Sequence, residues 1–120
     1  MTVKQSAMLY TMIKENGLYN VLKDELIYNG DYKLTDDVRQ EIRKIISENA
    51  EIDVEDIDLM TIGELEEYIL YEMPDHSLPE WLIPHVDIAS VIYDMILNGD
   101  INYLCLEVDS RSVIVFWRQT

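Results

Sequence analysis

The sequence predicts an α+β fold, mainly helical, with about five helices and a C-terminal antiparallel β-hairpin. Three observations predict it. Apolar residues recur at three-to-four spacing through most of the first 97 residues. Gly, Asn-Gly or Pro punctuates the end of most such stretches. The last twenty residues change character: INYLCLEV and SVIVFWRQ are β-branched and aromatic, joined by Asp109-Ser110-Arg111 as a turn. At 120 residues the chain fits a single domain, 1–120, with one core.

Met8, Leu9, Met12 and Ile13 have helical spacing, and Gly17 is placed to end that first helix near Asn16. A second helix over 18–28 carries Leu18, Val21, Leu22, Glu25 and Leu26 and stops at Asn29-Gly30. Thr35 is an N-cap candidate with Asp36 and Asp37 in the first turn. Behind it Val38, Ile42, Ile45 and Ile46 form an apolar stripe, with Arg39, Arg43 and Lys44 away from it. Thr61 and Glu64 form a capping box for a fourth helix, whose Ile62, Leu65, Ile69 and Met73 align on one face until Pro74 ends it. Before it, the alternating Val54, Ile57 and Leu59 read as a packing stretch. A loop with Pro79 and Trp81 leads to a fifth helix over 84–97, with Pro84 at its first position and Asn98-Gly99 closing it. The hairpin, over 101–118, is apolar on both faces. Two strands alone are marginally stable, so helices must cover it, or a second copy of the chain must extend the sheet as a homodimer.

Charge divides the chain. Residues 1–50 are a near-neutral helical part with 8 acids against 7 bases. Residues 51–120 carry 16 acids and only Arg111 and Arg118, and the 66 residues from 45 to 110 contain no Lys or Arg. With 48% apolar residues, a net charge of −15 does not signal disorder. Repulsion among the carboxylates costs stability, so the bias points to a cationic partner. A solvated face without a partner is the alternative. A halophile-type bias would spread along the chain, whereas here the first 50 residues keep their lysines.

Catalytic chemistry finds no foothold. His76 and His85 lie outside any recognisable nucleophile–base motif. Asp53, Glu55, Asp56 and Asp58 are closely spaced but lack the Gly and later Glu of an EF-hand loop. The reading is therefore not an enzyme, with no metal and no cofactor. Cys105, the single cysteine, lies in an apolar run and reads as a buried small hydrophobe. No glycine-rich phosphate loop occurs, and direct nucleic-acid binding is disfavoured because phosphate is neutralised by Lys and Arg. No stretch resembles a signal peptide or membrane span, which makes the cytoplasm the expected compartment and a membrane partner unexpected.

The same electrostatics run in reverse. A groove built for DNA is lined with cations, and carboxylates about 5–6 Å apart on a helix approach phosphate spacing closely enough to occupy it. The residues assigned to that acidic surface are Glu51, Asp53, Glu55, Asp56, Asp58, Glu64, Glu67, Glu72, Asp75, Glu80, Asp87 and Asp94. Glu51 with Glu55, Asp53 with Asp56, and Glu64 with Glu67 have near-helical offsets, and Asp87 and Asp94 share a face two turns apart. Tyr68 and Tyr71 neighbour them, placed either to stack on arginines or to fill the core.

Asp75-His76-Ser77-Leu78-Pro79, followed by Trp81 and the stretch 85–101 with Gly99-Asp100-Ile101, resembles the Ocr family of antirestriction DNA mimics from T7-like phages. That family has an Asp-x-x-Val-Pro element after a helix, then an aromatic-rich helix and a Gly-Ile-Asp-Leu-like turn. The apolar hairpin and the near-neutral first 50 residues have no counterpart in it. The resemblance implies a phage protein that blocks a host defence nuclease by occupying its DNA groove, without a catalytic residue. Charge segregation and resemblance lead to an acidic inhibitor, countering restriction, CRISPR or a related defence. The alternative is an antitoxin or immunity protein set against a basic toxin nuclease, and a third class is an assembly subunit whose acidic face is merely solvated.

Overall fold

The computed structural model describes residues 2–120. Val3–Gln5 (β1), Ile57–Thr61 (β2), Asn102–Val108 (β3) and Arg111–Gln119 (β4) form one antiparallel sheet in the order β1-β3-β4-β2. Five α-helices, Ala7–Asn16 (α1), Leu18–Asn29 (α2), Asp36–Ala50 (α3), Ile62–Glu67 (α4) and Ile88–Leu97 (α5), complete an α+β fold. The expected hairpin is β3–β4, paired from Asn102↔Trp117 to Val108↔Arg111. Its turn residues Asp109 and Ser110 both have positive φ (49° and 72°), as in the two-residue turn whose twist matches that of the strands.

The hairpin is the middle of the sheet. A second copy of the chain could extend the sheet only beyond β1 or β2. The apolar character of both hairpin faces is explained by helices on both sides. On one face Val38, Ile42 and Ile46 of α3 pack against Ile57, Leu59, Leu106, Val113 and Val115. On the other, Leu9, Val21, Leu22, Ile62, Leu65 and Ile92 pack against Met60, Cys105, Ile114 and Phe116.

Side-chain oxygens start four of the helices. Ser6 accepts from the Leu9 N–H, Thr35 from Val38, Thr61 from Glu64 and Asp87 from Ser90, with the expected capping box complete at Thr61 and Glu64. Gly17, at φ 87°, lets α1 end and α2 begin at one residue.

Several boundaries depart from the sequence reading. Residues 3–5 and 57–61 are strands, because β3 and β4 offer them a hydrogen-bonding edge that no local pattern announces. The fifth helix starts at Ile88 and not at Pro84. A 3₁₀ turn, Ile83–His85, comes first, Val86 is extended, and the Asp87 cap fixes the helix start. The fourth helix loses its α register at Tyr68–Glu72, which forms a π-type turn. Its extra residue brings Leu70 into the core beside Ile69 and turns Met73, expected to face inward, out to 44% exposure.

The outer strands are shorter than the central ones, and helices finish their work. β2 ends at Thr61 opposite Val115. Beyond that point the Ile114 N–H donates to Glu25 Oε2 (3.2 Å), and Asn29 Nδ2 donates to the Ser112 carbonyl (3.2 Å) and to Glu25 Oε2 (2.8 Å). Both side chains come from α2 and are buried. On the opposite edge β1 ends at Gln5, and Cys105 finds its partners in the Ser6 N–H (2.9 Å) and the Tyr10 hydroxyl (3.2 Å). Buried backbone groups left unpaired cost about 1–3 kcal/mol each, so these substitutes hold the sheet as its own ladder does.

The start of α4 meets the end of α2 backbone to backbone, since a Cβ on Gly63 would overlap the Gly30 carbonyl oxygen. Gly63→Ala should therefore destabilise the fold by about 1–3 kcal/mol, read as a lower urea midpoint at unchanged slope. An unaltered midpoint would show that the helices do not meet there.

Candidate binding surface

Glu51 closes α3 in the left-handed conformation (φ 56°), and Asp53, Glu55 and Asp56 follow on the 3₁₀ turn that leads into β2. Glu51, Asp53 and Glu55 are exposed and Asp56 is half-buried. The Asp56 carbonyl accepts from the N–H (2.8 Å) and hydroxyl (3.2 Å) of Thr120, which ties this turn to the end of β4. Glu67 ends α4, Glu72 ends the π-type turn, Asp75 and Glu80 lie in the loop beyond it, and Asp94 lies in α5; all five are exposed.

Three of the expected surface acids are engaged within the fold. Asp58 takes a hydrogen-bonded ion pair from Arg118 Nε at 2.9 Å. Glu64 takes Arg39 Nη2 at 2.7 Å and the Thr61 N–H at 3.1 Å. Burial alone would raise the Glu64 pKa, but the Arg39 hydrogen bond, the Thr61 N–H and the Arg39 charge together pull it below the usual carboxylate value. Asp87 caps α5 and accepts from the Tyr19 hydroxyl at 2.7 Å, which lowers its pKa, helped by the Ser90 N–H.

The expected pairing of charges is altered accordingly. Glu51 and Glu55 are not on one helix, Glu64 is neutralised beside Glu67, and Asp87 is turned onto the start of α5 and does not form a free stripe with Asp94.

The two cations of the acidic part are both engaged within the chain. Arg118 lies 4.9 Å from the centroid of the Tyr68 ring and donates to its hydroxyl (3.4 Å) as well as to Asp58. Arg111 lies 4.7 Å from the Tyr32 centroid and donates to Asn29 Oδ1 (2.9 Å) and the Tyr28 carbonyl (3.2 Å). Tyr68 therefore stacks on an arginine of its own chain, while Tyr71 is 65% exposed. Among the described residues, only Asp58, Glu64 and Glu107 of the 16 acids beyond residue 50 pair with a cation.

A cleft of about 700 Å³ lies between the turn after α2 and the start of α4, with Asp31, Lys33, Arg39, Glu66 and Glu67 on its walls. Partial burial raises the Glu66 pKa, and the charges of Glu67 and Asp31 add to it. Among the described residues no group of three metal-ligating side chains lies together. Cys105 is buried as expected, and burial pushes its thiol up to about 12, so it is not a nucleophile at neutral pH. No described helix is long and apolar enough to cross a membrane.

Of the exposed apolar residues that adjoin the acids, sequence reasoning singled out Tyr71, with stacking and core both open, but missed Met73 and Trp81. Pro74 and Pro79 around an unpatterned Trp81 were the available signal; nothing local announced the π-type turn. No family model, curated protein or solved structure matches this chain.

Proposed function

We propose that this protein binds a cationic, nucleic-acid-handling protein through its acidic face and blocks it by occupying the groove meant for nucleic acid. A phage product countering restriction, CRISPR or a related host defence has this role. The observation that carries the reading is the outward, uncompensated placement of the base-free stretch, with three of 16 acids paired among the described residues. Glu51, Asp53, Glu55, Glu67, Glu72, Asp75, Glu80 and Asp94 supply the free charge. Such a surface gains from a basic groove what DNA gains, release of condensed counterions and attraction at range.

A specific observation also favours a second reading, an immunity protein or antitoxin. Exposed Trp81, Tyr71 and Met73 beside the acids match the residue types that anchor tight, partner-specific interfaces. The test uses the purified protein as bait in a bacterial lysate, with and without excess duplex DNA, at about 50 and 200 mM salt. Recovery of a DNA-binding protein that DNA displaces and salt weakens is the expected result. A partner that neither DNA nor salt removes goes against groove occupation and favours the immunity reading.

A further inference from the structure

We propose that residues 71–81 form an arginine-reading element of the acidic face, in which Trp81 and Tyr71 stack on partner guanidinium groups while Glu72, Asp75 and Glu80 pair with them. This rests on the reading of that face as a surface for a basic protein and adds which cation it takes.

The segment is built to expose what it carries. A regular continuation of α4 would keep the Ile62, Leu65, Ile69 face turning inward at Met73. The π-type turn buries Leu70 instead and leaves Tyr71 at 65% and Met73 at 44% exposure. Beyond Pro74 the chain is pinned, since Leu78 and Ile83 pack on the core and the Leu82 N–H bonds the Pro79 carbonyl at 2.9 Å. Trp81, between those anchors, is 71% exposed. An indole on an anchored loop loses little freedom on binding.

The surroundings select the occupant. The exposed rings are interleaved with carboxylates, and no Lys or Arg occurs between residues 45 and 110, so a complementary surface brings positive charge and apolar stems. Arginine meets both demands better than lysine. Its guanidinium is planar and weakly hydrated, lies flat on aromatic faces and takes carboxylates two bonds at a time. The fold itself uses this arrangement: Arg118 lies over Tyr68 while bonded to Asp58, and Arg111 lies over Tyr32. Residues 71–81 present rings and carboxylates of the same kind, and among the described residues no cation of the chain pairs with them.

The experiment titrates the purified protein with octa-arginine and, separately, octa-lysine at about 0.1 M salt, followed by calorimetry. Octa-arginine should bind more tightly, by about two- to fivefold for each ring engaged. Trp81→Leu combined with Tyr71→Leu keeps apolar area at two exposed positions, and should erase most of that preference while binding of octa-lysine persists. Trp81→Phe should keep part of it. Changing Glu72 and Glu80 to Gln and Asp75 to Asn should weaken both peptides alike. Equal affinity for the two peptides, or an arginine preference that survives the double Leu variant, overturns the inference and leaves the acidic face intact as a charge-driven surface. Failure to bind either peptide overturns both.

Discussion

Converting Glu51, Asp53, Glu55, Glu67, Glu72, Asp75, Glu80 and Asp94 to their amides should weaken binding to a DNA-displaceable partner by roughly a thousandfold. An exposed ion pair shifts an equilibrium about two- to threefold, and eight such losses compound to that order. The same change should leave the fold intact or steadier, because these acids lack cationic partners among the described residues and repel one another. Asp58→Asn and Glu64→Gln serve as opposite controls. Their carboxylates face Arg118 and Arg39, so affinity should barely move, and Gln at 64 can still complete the capping box. Titrations of each variant against the captured partner at two salt concentrations decide the matter. An eightfold-neutralised protein that binds like the native one would falsify the electrostatic account.

Glu25→Ala should cost about 2–4 kcal/mol, a large share of the roughly 5–15 kcal/mol that stabilises a domain. The substitution leaves the Ile114 N–H without an acceptor and frees Asn29, which also holds the Ser112 carbonyl and Arg111. Glu25→Gln separates shape from charge. Burial, the largest influence, raises the Glu25 pKa, against the opposing pull of Asn29, the Ile114 N–H and Arg111. A carboxyl raised in the folded state is most favourable to folding while protonated. Its contribution therefore declines as pH rises from the ordinary carboxylate value of 4.5 through the raised one. Gln has no such decline, so the stability of Glu25→Gln relative to the native protein should improve over that window. Urea midpoints for native, Ala and Gln forms across the window measure it. A constant difference between native and Gln forms would mean that the carboxyl titrates alike in folded and unfolded chains.

Local signals carried the reading of this fold a long way. Thr35, Thr61 with Glu64, and Gly17 act within a few residues of themselves and appear where the sequence placed them. So does the hairpin turn, although it takes only Asp109 and Ser110, and Arg111, read as its third residue, opens β4. The demand that the apolar hairpin be covered on both faces also held. Strands β1 and β2 escaped notice because three and five residues show too little alternation, and they are strands only because β3 and β4 accept them. The candidate surface shows the same division. Its charge segregation was plain in the sequence, but which acids are spent internally was not. Arg118 reaches back 60 residues to Asp58 and Arg39 reaches forward 25 to Glu64, and nothing in either neighbourhood announces the partner.

The strand order β1-β3-β4-β2 has a consequence for how the chain is made. Its two central strands leave the ribosome after every helix and both outer strands. At roughly 5–20 residues per second, the first hundred residues emerge over about 5–20 seconds with no sheet to pack on. During that interval the apolar stripes of α1, α2 and α3 face water or each other. The native core closes only when β4 arrives. Synthesis order thus delays the commitment of this protein to its fold, and a nascent chain halted before Arg111 carries the helical segments and three of the strands without the one that joins β3 to β2.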